Sequence, residues 1–281
     1  MPSTDAAGPN ADQVAYWNAS AGPIWVAMQD VLDAQLRDLG LAAVETLAPQ
    51  AGEGFIDIGC GCGDTSLELA RRVGASGSVL GVDISGPMLE VARGRAATHG
   101  LSQATFTQAD AQTHTLPPVD GAFSRFGVMF FADPPAAFAN VRRAFRPGGR
   151  LAFVCWRALG ENPWMTIPFM AAASLLPQQA PPPPDAPGPF AFADRDRVHR
   201  ILRTAGFTDI SIEPHDRKIG WGDPDTGVRA ALNLGPLGAA LRESPQLVDP
   251  VRAAVRQALA AHTGPDREVR LDSASWIVLA R

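Results

Sequence analysis

From Phe55 to Gly63 the chain reads Phe-Ile-Asp-Ile-Gly-Cys-Gly-Cys-Gly. An apolar run that holds one acid and gives way to glycine on three alternate positions describes a buried parallel strand turning sharply into a helix. Glycine at 59, 61 and 63 lets main-chain atoms touch a bound small molecule where a β-carbon would stand in the way. Thr65-Ser66-Leu67-Glu68 fits a capping box, and Leu67, Leu69, Ala70 and Val73 give the following helix an apolar face. A second apolar run, Ser78 to Ile84, carries Asp83 near its end. That is about twenty residues past the glycines, where an acid in such an architecture grips ribose hydroxyls.

The loop is a poor seat for pyrophosphate. A dinucleotide fingerprint needs glycine or alanine at its sixth position, but counting from Gly59 gives Asp64 and counting from Gly61 gives Ser66. A carboxylate beside the helix N-terminus also opposes an anion that this terminus would otherwise stabilise. Asp57 and Asp64 suit a ligand bearing positive charge.

Further motifs follow in order. Asp57-x-Gly59-x-Gly61-x-Gly63, Asp83, Gln108-Ala109-Asp110-Ala111 and Arg146-Pro147-Gly148-Gly149-Arg150 together resemble the ordered motifs of class I S-adenosylmethionine-dependent methyltransferases. Phe123 to Phe131 and Val154-Cys155-Trp156-Arg157 resemble, within that class, the small-molecule enzymes of the ubiquinone/menaquinone-biosynthesis type. The resemblance implies an α/β, Rossmann-like, doubly wound sheet of seven strands, mostly parallel with the last strand antiparallel. It implies S-adenosylmethionine as cofactor, S-adenosylhomocysteine as product, and no metal. By the same resemblance the Asp57–Gly63 loop faces the methionine part, with Asp57 on its ammonium, and Asp83 takes the ribose. Ile84 and Met88 would flank adenine, Asp110 would accept from its amino group, and Ala111 would add a main-chain contact. Arg125 and Phe126 fall at a strand end facing the same crevice.

The 281 residues, with net charge −5, are enough for one α/β core with an inserted cap. Arginines are scattered rather than clustered, which argues against a nucleic-acid partner. Met1 to Gln13 lacks positive charge and an apolar core, and no apolar run reaches membrane-spanning length, so a cytoplasmic protein without a membrane span is expected. Cys60, Cys62 and Cys155 have no disulfide or zinc spacing and read as reduced packing thiols. Residues 1–9 read as disordered and 1–48 as an N-terminal cover, helical from Asp12 with a break at Gly22-Pro23. The methyltransferase domain then spans 49–281, with lid insertions near 158–193 and 222–265. Strands are expected near 54–58, 78–84, 104–109, 121–126, 149–156, 209–213 and 276–280. Helices are expected near 65–73, 86–98, 135–145 and 194–205, and 178–189 reads as an extended proline-rich loop.

Methyl transfer by in-line displacement asks the protein to align donor and acceptor and to exclude water. Tyr16, Trp17, Trp25, Trp156, Arg157 and Trp164 are the candidates to line the acceptor site, and their rings suit a small, largely apolar metabolite. His215, after a strand, is the candidate general base. The accepting atom stays open among oxygen, carbon and nitrogen, and a homodimer stays open as well, with no surface for it legible in one chain. Two other functions fit the same residues: an S-adenosylmethionine-binding regulatory protein without turnover, and a nicotinamide-dependent oxidoreductase, which Asp64 disfavours.

Overall fold

In the computed structural model, residues 8–177, 183 and 185–281 are described. Residues 1–7 of the expected disordered start, and 178–182 and 184 of the proline-rich stretch, lie outside the described residues. Three helices come first, α1 (Ala11–Ala19), α2 (Ala21–Ala27) and α3 (Gln29–Leu47). The central alternation then runs β1 (Gly54–Ile58), α4 (Asp64–Val73), β2 (Ser78–Asp83), α5 (Gly86–Thr98), β3 (Ala104–Gln108), β4 (Val119–Arg125), α6 (Pro134–Arg143) and β5 (Phe145–Trp156). After it come α7 (Pro163–Ala172), α8 (Arg195–Thr204), β6 (Ser211–Gly220), α9 (Pro224–Asn233), α10 (Gly235–Glu243), α11 (Val248–Ala260) and β7 (Arg270–Ala280).

The seven strands form one sheet in the order β3-β2-β1-β4-β5-β7-β6. Pairings among β1 to β5 are parallel, whereas β7 runs antiparallel to both β5 and β6. This differs from the 3-2-1-4-5-6 order of dinucleotide-binding sheets, because a reversed strand is inserted before the last position. All five residues of β1 are buried, as a central strand covered on both faces requires. Phe138 of α6 packs on Phe153 of β5 (5.6 Å between centroids), on Phe192 (6.0 Å) and on Phe207 (6.4 Å), and fixes α6 and the α8 region to the sheet. Cys155 is buried, and burial pushes its thiol pKa up.

Three local expectations are corrected. The cover breaks at Ser20 and Met28, not at Gly22-Pro23, which lie in the first turn of α2. There Gly22 is needed for packing, since a β-carbon at 22 would fall 2.1 Å from the Trp17 carbonyl oxygen. The capping box at Thr65 does not form: α4 starts at Asp64 behind Gly63, and the Thr65 and Ser66 hydroxyls turn toward Asp57. Finally, β6 runs on through Pro214 to Gly220. As an edge strand paired only with β7, it tolerates a residue without an N–H.

Candidate active site

The carboxyl ends of β1, β2, β3 and β4 open into one cavity, with about 1380 Å³ of space free of protein atoms, counted out to the part open to solvent. At one end lie the Ile58–Cys62 loop, Thr65, Asp83, Ile84, Met88, Asp110, Ala111 and Arg125. The rest of the lining includes Trp17, Trp25, Phe126, Met129, Phe130, Phe131, Trp156, Trp164 and Met165, with Gln29, Leu32, Gln35 and Leu36 from α3. All of these residues line the same cavity.

The loop is held from two sides. Gly61 N–H donates to Asp83 Oδ2 and Ser85 N–H to Oδ1, each at 2.8 Å, so the acid ending β2 sets the path of the glycines. Burial raises the Asp83 pKa while these main-chain bonds oppose the shift. On the β4 side, Ser124 Oγ donates to the Ile58 carbonyl (2.8 Å) and accepts from Gly127 N–H (3.1 Å). Cys60 and Cys62 line the cavity as free, buried thiols, and burial pushes the Cys62 pKa up to about 12, which keeps it protonated and poorly nucleophilic.

Asp57 and Gly63 lie behind this surface rather than among the lining residues. Asp57 is fully buried; its Oδ2 accepts from Thr65 Oγ1 (2.8 Å) and Ser66 Oγ (2.6 Å), and its Oδ1 has no partner among the described residues. Burial raises its pKa to about 6, against the Ser66 and Thr65 bonds, which lower it. The folded value lies above the ordinary 3.8, so between those two pH values the folded chain holds a proton that the unfolded chain has released. Its contribution to stability is therefore full below about pH 4 and falls as pH rises toward 6, by about 3 kcal/mol in total. Asp57→Asn should flatten that slope in melting temperatures recorded from pH 4 to 7.5 on the cofactor-free protein, and should raise the melting point at the upper end. An unchanged profile would remove Asp57 as its source.

Asp64 is not among the residues lining the cavity. With Asp33 of α3 it forms an ion-pair network that includes Arg125 Nη1–Asp64 (2.8 Å), Arg125 Nη2–Asp33 (3.2 Å), Arg95–Asp33 (2.9 Å), Arg95–Asp64 (3.6 Å) and Arg37–Asp64 (3.9 Å). The network ties the cover to α4, α5 and the end of β4. At the far side α1 is clasped to the loops after β2 and β3. Asn18 Nδ2 donates to the Ile84 carbonyl (2.9 Å) and its Oδ1 accepts from Gly86 N–H (3.0 Å). Asn10 Nδ2 donates to Asp110 Oδ2 (2.8 Å) and its Oδ1 accepts from Ala132 N–H (2.7 Å).

Of the expected acceptor residues, Trp17, Trp25, Trp156 and Trp164 reach the cavity. Trp156 stacks on Phe126 (4.0 Å, 14°) and tilts against Trp164 (4.8 Å). Tyr16 is exposed at the edge of α1 and Arg157 points away, paired with Asp216 and Glu161 and lying over the Trp276 ring. His215 is corrected as well: it sits on the edge strand β6, opposite Ser275, and is not among the described residues lining the cavity. Burial lowers its pKa, but no substrate space adjoins it. Sequence reading missed Asn10, Asn18, Gln29 and Gln35, whose amides carry no local pattern.

Against known proteins, residues 55–149 match a family described as a methyltransferase domain. Residues 55–149 carry a methyltransferase domain. The aklanonic acid methyltransferase of Streptomyces sp. strain C5 is 35% identical over 144 residues, covering 50% of this chain and 64% of the relative. A ubiquinone/menaquinone biosynthesis C-methyltransferase of Cellvibrio japonicus is 38% identical over 113 residues, covering 38% of this chain and 45% of the relative. The chain thus spans less than two thirds of these relatives' length. The YcgJ protein of Bacillus subtilis shares the fold, with TM-score 0.57 at 16% identity, over 87% of this chain and 97% of that one. The sheet order, with β7 reversed between β5 and β6, departs from the 3-2-1-4-5-6 order of dinucleotide-binding sheets, which disfavours the nicotinamide reading.

Proposed function

We propose that the chain is an S-adenosylmethionine-dependent methyltransferase acting on a small, largely apolar metabolite. The observation that carries this reading is the single cavity in which a glycine loop with strand-end acids meets an aromatic half. Two features fit the cofactor. A β-carbon at Gly61 would project into space, with the nearest atom, Met88 Sδ, 3.9 Å away. Asp57, behind the lining, bears on the cavity through Thr65, whose Oγ1 donates to it.

In this reading Asp83 holds the ribose, Ile84 and Met88 flank the adenine, and Asp110 with Ala111 reads its edge. Thr65, which lines the cavity, has its hydroxyl proton committed to Asp57 and so presents lone pairs toward an ammonium. Bound there, the cofactor supplies a methyl group on a sulfonium. The protein's own part is alignment and exclusion of water, since the aromatic end holds no histidine, carboxylate or lysine among the described lining residues. The insertions near 158–193 and 222–265 act as the lid, through Trp164, Met165, Pro189 and Leu234. Displacement of this kind requires no metal. A cytoplasmic setting, for which no helix among the described residues is long and apolar enough to cross a membrane, completes the proposal.

Calorimetric titration with S-adenosylhomocysteine and with a nicotinamide dinucleotide tests it. Binding of the first and not the second is expected; the reverse result would end this reading. Asp83→Ala should weaken S-adenosylhomocysteine by about ten- to a hundredfold, through lost charge-assisted hydrogen bonds. Unchanged affinity in a folded variant would remove Asp83 from the site.

A further inference from the structure

Two side-chain amides reach the cavity from one helix. Gln35 is 3% exposed and its Nε2 has no hydrogen-bond partner among the described residues; six residues earlier, Gln29 carries a buried Oε1 in the same condition. Both line the cavity. A buried amide group left unmatched costs about 1–3 kcal/mol, and folded interiors rarely keep one without a reason. A donor retained in that position faces an oxygen that arrives from outside the protein.

The surroundings indicate which molecule brings that oxygen. Helix α3 packs on β4, β5, β6 and β7, whereas Asp83 and Asp110 belong to the ends of β2 and β3, toward the other edge of the sheet. Asp33, paired with Arg95 and Arg125, marks the side of α3 turned toward α4 and α5, and Gln35 lies about 160° around the helix from it, on the side of the acceptor half. Trp156, stacked on Phe126, and Trp164 provide flat apolar walls in that half, suited to ring systems. Along the helix the two amides are separated by about 9 Å of rise and about 120° of turn, so a molecule engaging both must carry polar groups well apart on its rings.

We propose that Gln35 donates from Nε2 to a carbonyl oxygen of the methyl acceptor, that Gln29 accepts from a hydroxyl at its other end, and that the acceptor is a ring-based hydroxyketone. This rests on the methyltransferase reading. Within it, the two amides are positioning residues that present the acceptor to the methyl group.

A ladder of three probes tests the assignment by quenching of tryptophan fluorescence: tetralin, 1-tetralone and 6-hydroxy-1-tetralone. For the unmodified protein, 1-tetralone should bind about tenfold more tightly than tetralin, and the added hydroxyl should gain a further few-fold. Gln35→Met, of similar length and without polar atoms, should erase the first step, and Gln29→Met only the second. A first step that survives in Gln35→Met, or is absent from the unmodified protein, overturns the proposal. So does the absence of saturable binding for all three probes. Should Gln35→Met not fold, the carbonyl stretch of ¹³C-labelled 1-tetralone bound to the unmodified protein decides: a shift to lower frequency is expected, and a hydrocarbon-like value overturns the proposal.

S-adenosylhomocysteine should bind both variants as it binds the unmodified protein. Its loss in Gln35→Met, with the ketone preference intact, would place Gln35 on the cofactor and overturn the proposal. An unmodified protein that ignores S-adenosylhomocysteine defeats the methyltransferase reading, while the probe ladder still reports on the two amides.

Discussion

Gly59→Ala is expected to destabilise the folded chain by about 2–5 kcal/mol and to abolish cofactor binding. Residue 59 adopts φ +64, and a β-carbon there would lie 2.8 Å from the Cα of Gly127. The left-handed conformation costs an L-residue about 1–2 kcal/mol. Separating two backbones that already touch costs about 1–3 kcal/mol more. Neither segment can yield easily, because Ser124 hydrogen-bonds the Ile58 carbonyl on one side and Gly127 N–H on the other. Gly61→Ala should behave differently: at φ +54 it meets the same backbone penalty of about 1–2 kcal/mol, yet its β-carbon points into the cavity with nothing nearer than 3.9 Å. Urea unfolding together with calorimetry separates the two. Gly59→Ala should lose midpoint and ligand, whereas Gly61→Ala should lose mainly the ligand. Equal unfolding midpoints in the two variants would refute the close-approach argument.

Arg125→Met should cost about 3–5 kcal/mol of stability. Its guanidinium, 12% exposed, bridges Asp33 and Asp64, whose side chains are 10% and 15% exposed. Removing it leaves two carboxylates shielded from water, with Arg95 as their main remaining counter-charge. The loss should fall toward the lower end because Arg95 stays in place. Adding Asp64→Asn to Arg125→Met should recover part of the loss, since the stranded charge is then gone, and a double-mutant cycle measures that coupling. A cycle that closes with no coupling would show the network to be energetically silent.

The parts of the fold legible in the sequence were those written in local pattern. β1 with its glycines, β2 ending on Asp83, and α5 spanning residues 86–98 each follow from residues close in the chain. Asp64 was misread because the arginines that claim it, Arg95 and Arg125, lie 31 and 61 residues away. His215 was misplaced through strand length: a strand ending at Glu213 would have released it toward the cavity, whereas β6 continues through Pro214 and holds it in the ladder against Ser275. Gln29 and Gln35 resemble solvent-facing amides until the sheet turns their side of α3 inward. Four of the six expected acceptor residues reach the cavity, and the two that do not, Tyr16 and Arg157, lie at the edge of an element or in surface ion pairs.

The clasp formed by Asn10 and Asn18 bears on time as well as on shape. Both asparagines grip the segments that carry Ile84 and Asp110, so α1 serves as a door whose latches are part of the room it closes. Moving α1 away from those segments requires breaking these hydrogen bonds first. A helix pinned at both ends in this way opens only as fast as those bonds break together.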